Sequence, residues 1–324
     1  SNTCWSFSVP ELLGQCASGL GVVKSLRAAD GLEPSSLPRA HLTELVFDLT
    51  GLAWAFEFVL RLDDGLLAAI RTAELACGRN MDERLTSSSA TMAGRTSVSP
   101  PPCDGLSGSR PGIPVSLRGM LVVFKPSSWE VDGRTSLLVT EPEAEVNDGR
   151  VGLSSFVQLF YPAEVFPLPH WADFDHGFLH RLDIPSSGLV LAGVTMEGYW
   201  SLRLQLNTYR LEREYFVTCH GVIAPEFTVV RLAIGSTMVR VRRSIADSCG
   251  KPAETHVKVL AHVTNGRPYC PVAIKIRTGR HHQIRTHMLH SGYPTVTDAK
   301  YTVWRLLCEG PARAVLGAAR GMRE

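Results

Sequence analysis

The 324-residue chain contains no Cys-x-x-Cys pair. Its eight cysteines, Cys4, Cys16, Cys77, Cys103, Cys219, Cys249, Cys270 and Cys308, are scattered at spacings that suggest no disulfide framework, so reduced thiols of an intracellular protein are expected. No apolar run approaches the roughly 20 residues needed to cross a bilayer, and no membrane partner is expected. The chain begins at Ser1 rather than Met. A native start and any targeting peptide are therefore expected upstream, and cytoplasm, mitochondrion and plastid stay open as compartments. A large charge of one sign is also lacking, since the net is +2. That balance hides an asymmetry: residues 1–200 carry 14 Lys/Arg against 23 Asp/Glu (−9), and residues 201–324 carry 19 against 8 (+11). The basic part suggests an anionic partner, although uneven surface charge alone would give the same count.

What is present is a chain in three stretches. Residues 1–78 read as helical. In RLDDGLLAAIRTAELACG at 61–78, Leu62, Leu66, Ala69, Ile70, Ala73 and Cys77 recur at helical spacing, with Asp63 and Asp64 in the first turn and Gly78 as the stop. SNTCWSFS at 1–8 echoes GLAWAFEF at 51–58, which suggests degenerate stacked helical repeats or simply two amphipathic helices. Residues 79–115 are rich in Ser, Thr, Gly and Pro and read as a linker. From 116 to 324 strands and turns dominate: GMLVVFKP at 119–126, GLVLAGVT at 188–195, EYFVTCHGVI at 214–223 and PVAIKIRTG at 271–279. A helix is expected over 280–292. The fold class expected is α+β, with a mixed, mostly antiparallel sheet following a helical N-terminal region.

The segment HRLDIPSSGLVL at 180–191 places Asp183 two residues after Arg181 and just before an apolar run. A kinase catalytic loop is excluded. Gly188 stands where that loop needs an Asn, no Asp-Phe-Gly follows, and no Gly-rich loop precedes. By themselves, Arg181 and Asp183 read as a surface ion pair, or Asp183 as the cap of a turn.

Further segments give HRLD a context: Lys125-Pro126 after a strand, Arg213-Glu214-Tyr215, GRHHQIRTH at 279–287, Gly292-Tyr293-Pro294 and Asp298-Ala299-Lys300-Tyr301. In this order, over 116–301, the chain resembles the RluA-type pseudouridine synthases. The resemblance implies a fold with a cleft across the middle of the sheet. It also implies an RNA partner and an isomerase that converts uridine to pseudouridine without cofactor or metal. Asp183 would be the essential carboxylate. Tyr215 would lie against the flipped base and assist proton removal at C5, and Arg285 would pair with Asp183. Arg181 would hold the flipped nucleotide or fill the gap it leaves. His180, Arg280, His282, Gln283 and Lys125 would complete the substrate-binding set, with His180 supporting the loop.

These residue types suit that chemistry. A carboxylate can attack a sugar carbon, and a guanidinium offers it a planar fork. Extruding a base from its stack costs a few kcal/mol, of which an aromatic platform recovers roughly 1–3 kcal/mol. Arg240, Arg242, Arg243 and Lys251 are candidates for phosphate contacts, or else a solvated strand and loop. His281, His282, His287 and His290 invite a metal reading. Adjacent His281 and His282 would point apart on a helix, however, and no acidic or Cys cluster completes a site.

The sequence departs from the family's pattern in places. Arg213 stands for Lys and Ser186 for Thr, WEVD follows Lys-Pro, and TVWRLLCEGPARAVLGAARGMRE follows Tyr301 in place of the usual terminal strands. That last departure keeps a second reading open, a catalytically inactive RNA-binding or RNA-folding protein on the same fold.

Overall fold

The computed structural model describes residues 38–58, 62–87, 109–131, 152–237 and 243–301. The chain forms two compact units that divide between Arg210 and Leu211. The SNTCWSFS half of the internal echo, residues 88–108 of the linker expected over 79–115, and Arg240 and Arg242 lie outside the described residues; at the two ends of that expected linker, 79–87 are helical and 112–115 lie in a strand.

Among the described residues, the first unit opens with two helices, α1 (Arg39–Phe58) and α2 (Asp64–Ser87). The buried side chains Leu42, Val46, Leu49, Ala53 and Phe56 form one stripe of α1, and Leu66, Ile70, Cys77 and Met81 form the facing stripe of α2. Asp63 caps α2 by accepting the Leu66 amide at 2.8 Å. The helix does not stop at Gly78 as its composition suggested; it runs nine residues further, to Ser87. Gly78 serves close packing instead. A Cβ there would lie 2.7 Å from the Glu197 Cα. Past Gly78, Asp82 points its carboxylate at the start of the later helix Met196–Asn207.

A three-stranded antiparallel sheet follows: β1 (Gly112–Leu117), β2 (Met120–Lys125) and, after the short helix α3 (Leu153–Gln158), β3 (Gly188–Gly193), in the order β1-β2-β3. Central β2 pairs Lys125 with Gly188 and Val123 with Val190. The expected strand at 188–195 ends at Gly193 because Thr195 starts a helix that sequence reading missed, α4 (Met196–Asn207). Thr195 Oγ1 accepts the Gly198 amide, and Asp82 accepts the amides of Met196 at 2.7 Å and Glu197 at 3.0 Å. Three amides that a helix start leaves unbonded are thereby satisfied. Met196, Tyr199 and Trp200 of α4 pack with Leu42, Val46, Cys77 and Met81, so α1 and α2 share a core with the strand-bearing part.

The second unit contains β4 (Arg213–His220), β5 (Val229–Arg231), β6 (Ile234–Thr237), β7 (Arg243–Ala246), β8 (Glu254–Val259), β9 (Val263–Asn265), β10 (Arg267–Ile276) and α5 (Gln283–His290). Five strands make one antiparallel sheet in the order β4-β10-β8-β5, with β9 on β10, and β6 and β7 pair separately. Period-two alternation sends Cys219, Val257, Cys270, Val272, Ile274 and Ile276 to one face, where Met288 of α5 closes the core. Cys219 and Cys270 stand directly opposite each other across β4 and β10, neither with exposed surface. The α+β class and the antiparallel pairing are as expected, with the strands divided among three sheets.

Candidate functional site

The first unit positions Asp183. Upstream, Asp175, His176 and Gly177 take three successive left-handed conformations (φ 50°, 54° and 84°). Gly177 is required there, since a Cβ would lie 2.1 Å from the Gly193 carbonyl oxygen. The turn delivers Phe178 to Ala192 in an antiparallel bridge, and Leu179 donates its amide to Leu191 O at 3.0 Å. His180 Nε2 accepts the Leu191 amide at 3.3 Å, so this residue ties the segment to β3. Leu182 is buried between exposed Arg181 and half-buried Asp183 and anchors the loop. The Asp183 carbonyl accepts the Ser186 amide at 2.9 Å, closing the turn that precedes β3.

Under this loop lies Lys125. Expected among the substrate-binding residues, it has no exposed surface. Its ammonium donates to the carbonyls of Pro126 (3.0 Å), Trp129 (2.7 Å), Ile184 (3.2 Å) and Ser186 (2.7 Å). Two further bonds join the same segments, Ser128 N to Ile184 O at 2.9 Å and Ser127 Oγ to Pro185 O at 3.0 Å. Lys125 therefore pins the Asp183 loop to the end of β2. Burial pushes its pKa down to about 8, against the opposing charges of Asp183 and Glu130. The four carbonyl oxygens further favour the charged form. The ammonium of Lys125 underlies this loop and feels the Asp183 charge.

The second unit carries Tyr215 and Arg285. Tyr215 is half-buried on β4, opposite Ile274, and packs on the core face, whereas its neighbour Phe216 is 72% exposed on the other face. Arg285 on α5 forms a bidentate pair with Asp298, Nε to Oδ2 at 2.7 Å and Nη2 to Oδ1 at 2.6 Å, and lies over the Tyr301 ring at 4.6 Å. Burial works to raise the Asp298 pKa. The Arg285 fork, the Thr295 hydroxyl and the Tyr301 amide outweigh it and hold the carboxyl below its usual value.

The other residues of the Arg/His segment divide. Gln283 is 3% exposed. Its Oε1 accepts from Thr278 Oγ1 and the Arg280 amide, and its Nε2 donates to Glu254 O and Thr255 Oγ1. With both ends engaged inside the fold, Gln283 is a brace for α5 rather than a substrate contact. Arg280 Nε donates to Pro252 O. His281 and His282 precede α5 instead of lying within it. His282 is left-handed (φ 51°), and the two rings stack at 3.7 Å rather than pointing apart. His282 Nδ1 is 2.8 Å from Tyr301 Oη. His287 is buried against Thr255 Oγ1 and Leu232 O, and burial lowers its pKa. Among the described residues, no three His, Cys, Asp or Glu side chains gather as a metal site requires, and no helix is long and apolar enough to cross a membrane. Asp298 is the site residue that sequence reading left without a role. Its signal was the spacing Asp298-x-x-Tyr301, four residues that fold into one turn.

Residues 168–290, which carry the Asp183 loop, Tyr215 and Arg285, match the RNA pseudouridylate synthase family. Ribosomal large subunit pseudouridine synthase D of Pseudomonas aeruginosa is 32% identical over 182 residues, covering 56% of this chain and 50% of that one. The protein of the same name from Haemophilus influenzae is 33% identical over 184 residues, with 56% and 52% covered. The chain thus spans about half the length of these curated pseudouridine synthases. Among solved structures, human RNA pseudouridylate synthase domain containing 1 aligns with a TM-score of 0.45 at 24% identity, over 60% of this chain and 71% of that one.

Proposed function

We propose that this chain isomerises uridine in RNA to pseudouridine, with Asp183 as the nucleophile. One observation carries the reading. The segment that matches the family presents Asp183 half-buried on a loop whose Ile184 and Ser186 carbonyls are both bonded from beneath by Lys125, which also holds the Pro126 and Trp129 carbonyls at the end of β2. A carboxylate held on a rigid base is suited to attack at a fixed atom.

In this reading the target uridine is flipped out of its stack. Asp183 attacks the ribose C1′, or acts by elimination through the sugar, and the glycosidic bond breaks. The uracil rotates and rejoins through C5, whose proton leaves with the assistance of Tyr215. Arg285 supplies the guanidinium that holds the reacting partners. Exposed Arg181 holds the flipped nucleotide or fills its place. The basic stretch 201–324 contributes phosphate contacts. Large-subunit ribosomal RNA is the first substrate to test, because the relatives above are named for it.

The deciding experiment is pseudouridine mapping on total RNA treated with wild type or Asp183→Asn. Sites made by wild type and lost by at least roughly 10³-fold in Asp183→Asn support the reading. Full activity in the variant removes Asp183 as nucleophile. No sites from either protein, with salt-sensitive RNA binding retained, favour the inactive RNA-binding alternative.

A further inference from the structure

Arg285 is held on two sides by one short segment. Asp298 takes its Nε and Nη2 edge, and the Tyr301 ring takes its face at 4.6 Å. Both walls come from the same carboxylate. Asp298 Oδ1 also accepts the amides of Lys300 and Tyr301, each at 3.2 Å, which folds Tyr301 back beneath the guanidinium. Asp298 Oδ2 accepts Thr295 Oγ1 at 3.0 Å. Tyr301 is itself fixed. Its hydroxyl oxygen accepts the Ser244 amide at 2.9 Å and meets His282 Nδ1 at 2.8 Å. With its own amide bonded and its proton available to the imidazole, Tyr301 has little freedom to rotate.

A guanidinium is planar, so a partner on Nε and Nη2 fixes both its plane and the direction of Nη1. We propose that Asp298 is the positioning residue for Arg285, setting the edge that Arg285 presents to the reacting nucleotide; this rests on the isomerase reading above. Asp298 also neutralises Arg285. The contribution of Arg285 is then one of aim rather than of bulk positive charge.

The test is a double-substitution cycle in the full chain. Asp298→Asn keeps the shape and places an NH2 where an acceptor is needed. It is expected to lower kcat by about 10–100-fold while KM stays within about twofold. RNA binding is expected to be unchanged or tighter, because the substitution removes one negative charge. In an Arg285→Lys background, Asp298→Asn is expected to add little, since the fork it serves is already gone. Additive losses, a raised KM at unchanged kcat, or full turnover in Asp298→Asn would overturn the role. Wild-type turnover separates this from the isomerase reading, because its absence counts against that reading first. In that case the slowly exchanging Arg285 Nε–H resonance decides. It should be present in wild type and in Asp183→Asn and lost in Asp298→Asn, and its absence from wild type overturns the positioning role.

Discussion

Asp82 Oδ1 lies 2.7 Å from the Met196 amide, joining one helix to the start of another 114 residues later. With Oδ2 on the Glu197 amide at 3.0 Å, one carboxylate caps α4 from outside. Asp82→Ala removes both acceptors. A loss of about 1–2 kcal/mol is expected, read as a lower urea midpoint at unchanged slope. A loss within a few tenths of a kcal/mol would show that water replaces the carboxylate.

Gly78→Ala sets two effects of opposite sign against each other. Helix propensity favours Ala by about 1 kcal/mol. The new methyl, however, would stand 2.7 Å from the Glu197 Cα and 2.9 Å from its amide nitrogen, both backbone atoms. Overpacking of this kind costs about 1–3 kcal/mol. Net destabilisation is expected. A raised thermal midpoint would show that α2 and α4 can separate at little cost.

Glu74 lies on the inner stripe of α2, between Ile70 and Cys77, and is 1% exposed. Burial pushes its pKa up to about 8, against the Thr50 bond and the Arg203 charge. The Thr50 hydroxyl has one proton and two oxygen partners at 2.7 Å, Val46 O and Glu74 Oε1. A protonated Glu74 supplies the second proton. Its folded pKa exceeds the unfolded value, so the native state binds more protons between pH 4.5 and 8, and stability falls as pH rises through that window. The slope is at most about 1.4 kcal/mol per pH unit. Glu74→Gln is expected to flatten that slope and to be more stable than wild type at pH 7. Parallel stability–pH curves for the two proteins would refute this.

Lys125→Met keeps the side-chain length and strips four carbonyls of their donor. Because Lys125 is fully buried, a loss of about 1–3 kcal/mol is expected. The local signature is sharper. The Ser128 and Ser186 amides, bonded to Ile184 O and Asp183 O, are expected to exchange faster with solvent while β4 and β10 amides do not. Equal acceleration everywhere would indicate global loosening instead.

The centres of β2, β3, β4 and β10, and the middle of α5, were readable because apolar periodicity is set by burial. The order of the motif segments was readable as well. Direction was not. Lys125 and Gln283 look like surface polar residues in a string of letters, yet each turns inward to satisfy backbone or side-chain groups that burial would otherwise leave unbonded. His281 and His282 were placed on a helix because one follows immediately. The left-handed backbone at His282 that stacks them leaves no mark in composition. α4 was missed because its start is secured by Asp82, a residue far away in sequence. Asp298 lacked a role for a related reason, since its significance lies in the four-residue turn that places Tyr301 beneath Arg285.

The opposed pair Cys219 and Cys270 gives the protein a built-in clock. Burial pushes the Cys219 thiol up to about 12, so a labelling reagent meets neither a thiolate nor an open path in the native state. Reaction must wait until the core face that Met288 of α5 closes is uncovered. Cys249 is exposed and reacts at once, setting the intrinsic rate in the same molecule. The ratio of the two rates measures how often the core beneath the strand that carries Tyr215 opens to solvent, with no residue introduced.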